Sequence, residues 1–204
     1  PQAIWRKSLK ESEWLKADAS FLRDSKSEER GEWKLKPQMP SRWSVRFDYK
    51  AMHLNMRLAL TSFKHVGIFP EQSANWEFIY DSIEELKAKG IERPKVLNLF
   101  AYTGGATLAA RAAGADVTHV DSVKQVVTWS RENMEASGLD GVRWIVEDAT
   151  KFVEREVRRG NKYHGIILDP PAYGRGANGE KWVLEDDICN MLECCAKLLE
   201  RSNA

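Results

Sequence analysis

The chain has 204 residues, of which 43% are hydrophobic and 30% charged, with a formal net charge of +1 at pH 7. This composition excludes a disordered polyelectrolyte, and near-neutrality gives no ground for wholesale attraction to nucleic acid. No apolar run reaches the roughly 20 residues that span a bilayer, and the opening segment around Trp5, Lys7 and Lys10 lacks a signal-peptide core, so a cytoplasmic protein with no membrane partner is expected.

Residues 1–45 are rich in tryptophan and charge and are interrupted by Pro37 and Pro40, which suggests an irregular arm with anchoring aromatics. The stretch Trp43-Ser44-Val45-Arg46-Phe47-Asp48-Tyr49 alternates apolar and polar residues and predicts a strand. A second strand or extended loop is expected to run to Ile68 and Phe69 before Pro70, so residues 1–74 read as an N-terminal arm with a small beta extension. From Asn75 to Lys89, the residues Trp76, Ile79, Ile83 and Leu86 form one helical stripe that Gly90 ends.

Beyond Pro94 the pattern becomes regular. Strands are expected at Lys95 to Phe100, Asp116 to Val120, Val142 to Val146 and Gly165 to Leu168. Helices are expected between and after them, at Ala106 to Ala113, Val123 to Ser137 and Lys151 to Arg159. Alternation at crossover length predicts an α/β domain over residues 75–204, with a parallel sheet and helices on both faces. A glycine-bearing loop follows Pro170 and Pro171, then an amphipathic helix built on Ile188, Met191, Leu192, Cys195, Leu198 and Leu199. A four-stranded core that stops on a helix leaves a sheet edge unfinished, so the C-terminal part of the domain is expected to be truncated.

Cys189, Cys194 and Cys195 lack disulfide or zinc spacing and are expected as small buried residues of that last helix. His53, His65, His119 and His164 show no metal spacing, and no metal site is expected; His119 reads as structural. Two basic groups, Arg155 with Arg158, Arg159 and Lys162, and Arg42 with Arg46, Lys50 and Arg57, read first as solvated charge.

Ligands of an open parallel sheet gather outside the carboxyl ends of its strands, where the strand order reverses. Four turns meet that condition, beginning at Ala101, Asp121, Asp148 and Asp169. Gly104 and Gly105 admit a ligand close to the backbone ahead of a helix N-terminus, and a tight turn alone explains them equally well. Asp121 ends a strand where a carboxylate accepts from both ribose hydroxyls of an adenosine, a role compatible with capping the next helix. Asp148 stands at a third strand end with Ala149 leaving room for a ring, and helix capping is its other reading.

The sharpest local signal is Asp169-Pro170-Pro171-Ala172-Tyr173. Two prolines stiffen the backbone and hold the Asp169 carboxylate toward an amine, and Tyr173 offers a stacking face; a rigid structural turn is the alternative. No phosphate loop ending in Gly-Lys-Ser/Thr and no nucleophile elbow is present.

From Val96 to Tyr173 the chain resembles the class I S-adenosylmethionine-dependent methyltransferases. More narrowly, Leu97-Asn98-Leu99-Phe100-Ala101-Tyr102-Thr103-Gly104, Val120-Asp121-Ser122 and Asp169-Pro170-Pro171-Ala172-Tyr173-Gly174-Arg175-Gly176 look like the bacterial 23S ribosomal RNA large-subunit methyltransferase-like subfamily. His65-Val66-Gly67-Ile68-Phe69-Pro70-Glu71-Gln72, followed by Asn75-Trp76, is similar to the segment preceding that subfamily's catalytic domain. The resemblance covers about residues 60 to 200 and implies a Rossmann-like methyltransferase domain with S-adenosyl-L-methionine as cofactor.

It implies that Phe100, Tyr102, Thr103 and Gly104 surround the methionine part, that Asp121 with Ser122 holds the ribose, and that Asp148 and Ala149 meet the adenine. Phe69 and Gln72 would close over the cofactor, and Asp169 would stand beside it while lining the methyl-transfer site with Pro170, Pro171 and Tyr173. A base of ribosomal RNA is the expected acceptor, with a non-RNA acceptor or a binding protein without turnover as the alternatives. A homodimer is also expected. None of the cysteines stands in the motif that cytosine-C5 transfer uses, so that chemistry is not expected.

Overall fold

The structure is a computed structural model that describes residues 8–24, 31–61, 65–176 and 179–200, so Trp5 and Lys7 lie outside the described residues. Its contacts divide the chain into two units, Pro1–Trp43 with Leu58–Gly67, and Ser44–Arg57 with Ile68–Ala204.

The smaller unit holds α1 (Glu11–Trp14) and an antiparallel hairpin of β1 (Ala19–Arg23) and β2 (Gly31–Leu35). Phe21 stands opposite Trp33, their rings meeting edge-on at 5.1 Å, and the Trp33 indole donates to the Thr61 carbonyl at 2.8 Å. An irregular arm was the expectation for this stretch. Strands of five residues among charged neighbours show too few alternations for their period to stand out.

Most of β3 (Arg42–Tyr49) and of β4 (Met52–Ala59) belongs to the larger unit, and the two strands pair through a turn at Lys50, whose φ is +50°. Met52, Leu54 and Met56 alternate inward and are fully buried, packed with Trp76, Tyr80 and Ile83 of α2 (Ser73–Ala88). A short 3-10 turn, Pro70–Gln72, leads into α2 and starts on the proline, where a missing N–H costs nothing.

The regular part follows as β5 (Lys95–Leu99), α3 (Gly105–Ala112), β6 (Asp116–Asp121), α4 (Lys124–Ala136), β7 (Arg143–Val146), α5 (Ala149–Arg158) and β8 (Gly165–Leu168). Its four strands form one parallel sheet in the order β7-β6-β5-β8. The chain winds outward from β5 to β7 and then returns to the other side of β5. That reversal opens a crevice between the carboxyl ends of β5 and β8.

Because side chains alternate along a strand, β5 feeds both faces of the sheet. Val96 joins the core beneath α2 and α3, whereas Leu97 and Leu99 join Phe152, Met191 and Leu198 on the other face.

After β8 comes a short antiparallel hairpin, β9 (Tyr173–Arg175) and β10 (Lys181–Val183), where a glycine-bearing loop was expected; three-residue strands are below what periodicity resolves. The final helix is α6 (Leu184–Leu198). Cys194 and Cys195 are buried on it, and burial pushes the Cys195 thiol up to about 11. Cys189 faces outward instead, because it lies off the stripe formed by Met191, Cys194, Cys195 and Leu198. Among the described residues no helix is long and apolar enough to cross a membrane, and no cluster of acidic, histidine or cysteine side chains could hold a metal ion.

Candidate functional site

The backbone leaving β5 turns sharply. Phe100 and Tyr102 have φ of +54° and +49°, and Gly104 has φ of +90° just before α3. Left-handed geometry costs a non-glycine residue roughly 1–3 kcal/mol and persists only where neighbours over-determine it. Here they do. Asp121 accepts from the Tyr102 N–H on one carboxylate oxygen at 3.0 Å and from the Val123 N–H on the other at 2.9 Å. The Ala101 N–H donates to the Val120 carbonyl, and the Asn133 amide donates to the Thr103 carbonyl at 2.9 Å. Burial holds the Asp121 carboxyl above its ordinary value, against the opposing pull of the Val123, Tyr102 and Ser122 N–H groups.

Packing requires both glycines, and the left-handed turn requires Gly104 as well. A Cβ on Gly104 would lie 2.0 Å from the Ser130 hydroxyl, and one on Gly105 would lie 2.5 Å from the Trp76 ring. No side chain caps α3 at Gly104, so the first N–H groups of that helix are left to an anion or to solvent.

This turn forms one wall of a cavity of about 320 Å³ at the β5–β8 crevice. The opposite wall comes from the 3-10 turn and α2, and the end of β8 closes it at Asp169. Phe69 and Tyr102 meet across the cavity with ring centroids 5.2 Å apart. A polar chain also crosses it: Asn75 donates to the Gln72 side-chain oxygen at 2.6 Å, and Gln72 donates to Asp169 at 3.3 Å.

Of the residues singled out in the sequence, Phe69, Gln72, Phe100, Tyr102, Thr103, Gly104 and Asp169 line this cavity. Asp121 stands one hydrogen bond behind it, on Tyr102, with Ser122 next in the chain. Asp148 caps α5 by accepting from the Lys151 N–H at 3.0 Å, and Ala149 is buried in the core; neither lines the cavity. Pro170, Pro171 and Tyr173 also lie outside the lining, with Tyr173 exposed on β9 and the Pro171 carbonyl accepting from the Trp182 indole at 2.8 Å.

Several residues at or near the cavity carried no role in the sequence reading. Asn75 and Phe78 line it from α2, and Asn98 lines it from β5. A polar residue inside the run Val96-Leu97-Asn98-Leu99 was the available signal for the last. Asn98 donates to the Thr107 hydroxyl at 2.8 Å, and that hydroxyl lies 2.9 Å from His119 Nδ1. With its oxygen accepting from Asn98, the hydroxyl donates to the imidazole, which leaves the proton on Nε2, a buried atom with no hydrogen-bond partner. Burial lowers His119 to about 3, so the ring is neutral.

The architecture is shared with known proteins. A crystal structure of a SAM-dependent methyltransferase from Agrobacterium tumefaciens matches with a TM-score of 0.86 at 40% identity, over 98% of this chain and 62% of that one. A putative SAM-dependent methyltransferase from Streptococcus mutans shares the fold, with a TM-score of 0.65 at 22% identity, over 83% of this chain and 42% of that one. Sheet order, crevice and these likenesses define the fold of a class I S-adenosylmethionine-dependent methyltransferase.

In sequence the chain is 33% identical over 147 residues to Ribosomal RNA large subunit methyltransferase K/L of Shewanella frigidimarina, an overlap of 70% of this chain and 19% of that relative. The family described as Conserved hypothetical protein 95 matches residues 60–185, and the chain belongs to it, among the class I methyltransferases. It spans less than two thirds of both the Shewanella and the Agrobacterium relatives.

Proposed function

We propose that the protein binds S-adenosylmethionine in the β5–β8 cavity and transfers its methyl group to a base of ribosomal RNA, in the cytoplasm. The observation that carries this reading is the turn from Phe100 to Gly104: three left-handed residues, held by Asp121 and Asn133, set against an uncapped helix N-terminus. The donor set fits the cofactor's amino-acid end. Unpaired N–H groups of α3 suit a carboxylate, and the Phe69, Phe100 and Tyr102 rings suit the flank of a cation. When bound, the cofactor supplies a methyl group on an already activated sulfonium.

The chain's own residues then align the acceptor and exclude other poses. Asp121 would take the ribose hydroxyls with the lone pairs that its two N–H bonds leave over, assisted by Ser122, and Asp148 with Ala149, outside the cavity lining, would take the adenine where the cofactor extends beyond the cavity. Phe69 and Gln72 close over the cofactor. Asp169 orients the lone pair of an acceptor amine, displacing the long Gln72 bond, while Pro170 and Pro171 stiffen the turn and Tyr173 stacks on the base. A base within a duplex has to be extruded first. The name of the Shewanella relative supports ribosomal RNA as the acceptor.

Calorimetric titration with S-adenosylmethionine, paired with labelled-methyl transfer to ribosomal RNA from cells lacking this protein, tests the reading. Heat of binding and a labelled base are expected. A folded protein that binds no cofactor overturns it, and binding without labelled RNA moves the assignment to another acceptor.

A further inference from the structure

Two turns border the crevice, one after β5 carrying Phe100 and one after β8 carrying Asp169-Pro170-Pro171, and the Trp182 side chain touches both. Trp182, on β10, is 5% exposed. Its indole N–H donates to the Pro171 carbonyl at 2.8 Å, and its ring packs on Phe100 with centroids 4.8 Å apart at 54°. Phe100 and Asp169 both line the cavity.

The prolines explain why an outside donor matters. Pro170 and Pro171 have no N–H, so the turn they form cannot anchor itself with its own donors and must be held through its carbonyls. Trp182 supplies one such bond, and Leu184, two residues on, supplies another to the Ala172 carbonyl at 3.0 Å. The hairpin that carries Trp182 is itself pinned. Trp182 pairs with Gly174 in the β9–β10 register, and Glu180 just before β10 binds the Lys151 ammonium of α5 at 2.6 Å. A leucine or phenylalanine would fill the same apolar space and leave the Pro171 carbonyl unheld.

We propose that Trp182 is a positioning residue, one that locks the Asp169 turn to the Phe100 turn and so sets the separation between methyl donor and acceptor. The proposal rests on the methyl-transfer reading above. Trp182 acts through its two partners and meets neither reactant. In-line transfer depends steeply on that separation, and a misplacement of about 1 Å costs on the order of 10²-fold in rate.

Trp182→Phe keeps a ring against Phe100 and removes the N–H, whereas Trp182→Leu removes both. For Trp182→Phe, affinity for S-adenosylhomocysteine within about threefold of wild type is expected, with a roughly 10- to 100-fold lower single-turnover transfer rate and an unchanged KM for undermodified ribosomal RNA. Trp182→Leu should in addition weaken S-adenosylhomocysteine binding, because Phe100 loses its support. A second readout needs no turnover: the Trp182 indole ¹⁵N–¹H cross-peak, identified by its absence in either variant or in Trp182→Tyr, should move when S-adenosylhomocysteine is added to the wild-type protein.

A Trp182→Phe variant that transfers at the wild-type rate overturns the proposal, as does a loss of rate matched by loss of folded protein in thermal unfolding. An indole cross-peak that the ligand leaves unmoved also overturns it. Movement of the cross-peak in a wild-type protein that labels no RNA supports the placement of Trp182 and overturns the RNA acceptor instead.

Discussion

The side chain of Asn133 holds two distant backbone groups at once: its amide donates to the Thr103 carbonyl at 2.9 Å, and its oxygen accepts from the Arg57 N–H at 2.8 Å. Asn133 is fully buried on α4, so water does not replace either bond. Asn133→Ala leaves both groups short of a partner, and a loss of about 2–4 kcal/mol in urea unfolding is expected. Calorimetry should show weaker S-adenosylmethionine binding in the fraction that remains folded. A wild-type midpoint would remove Asn133 from the support of this turn.

Asp121→Ala takes away the acceptor for both Tyr102 and Val123, so cofactor affinity should fall by roughly tenfold or more while transfer at saturation changes less. The pH dependence has a defined sign. Burial raises the folded carboxyl above its ordinary value, so its contribution to stability is fully present below the unfolded pKa and is lost as pH rises through the folded one. Protonation also removes acceptor strength for the ribose. Calorimetric titration from pH 7 downward should therefore show affinity declining at a higher pH than an ordinary aspartate would give.

Asp169→Ala should act the other way round, lowering the transfer rate by about 10²-fold with cofactor affinity near wild type. Single-turnover assays beside calorimetry make the comparison. Larger binding loss in Asp169→Ala than in Asp121→Ala would reject both proposed roles.

Gly105→Ala drives a methyl group to 2.5 Å from the Trp76 ring, and overpacking of this kind costs about 1–3 kcal/mol. Combining it with Trp76→Leu should give less than the sum of the two single losses, because the clash disappears with the ring. Chemical denaturation of the four proteins measures the coupling. Strict additivity would contradict the contact.

His119 supplies a test of the buried network. Its folded pKa of about 3 lies below the ordinary histidine value of 6.5, so between those values the unfolded chain binds a proton that the folded chain does not. Stability should fall as pH drops through that window, by about 1.4 kcal/mol per unit from this group. His119→Asn should flatten the slope in urea midpoints measured from pH 7 to pH 4. An unchanged slope would place the acid sensitivity elsewhere.

The four core strands and the helices between them were readable from Pro94 onward, because each apolar strand is bounded by glycine, proline or aspartate and each crossover has helical length. The hairpins β1–β2 and β9–β10 were not, being too short for their periodicity to show. The strand ends at Ala101, Asp121, Asp148 and Asp169 were legible as candidate turns, yet they divide in the fold: residues after β5 and Asp169 line the cavity, whereas Asp121 braces the turn from behind and Asp148 caps α5. Gly104 and Gly105 read as ligand approach or turn geometry, and their close neighbours Ser130 and Trp76 appear only once the chain is folded.

Elements and turn chemistry lay in the residue order because both depend on neighbours a few positions apart. Long-range packing decided the rest. The order β7-β6-β5-β8 puts Asp169 beside Phe100, α4 brings Asn133 to Thr103 across 30 positions and to Arg57 across 76, and β10 brings Trp182 to the Pro171 carbonyl. No local pattern encodes these partners, since each is selected by burial and by hydrogen-bonding groups that must be paired once water is excluded.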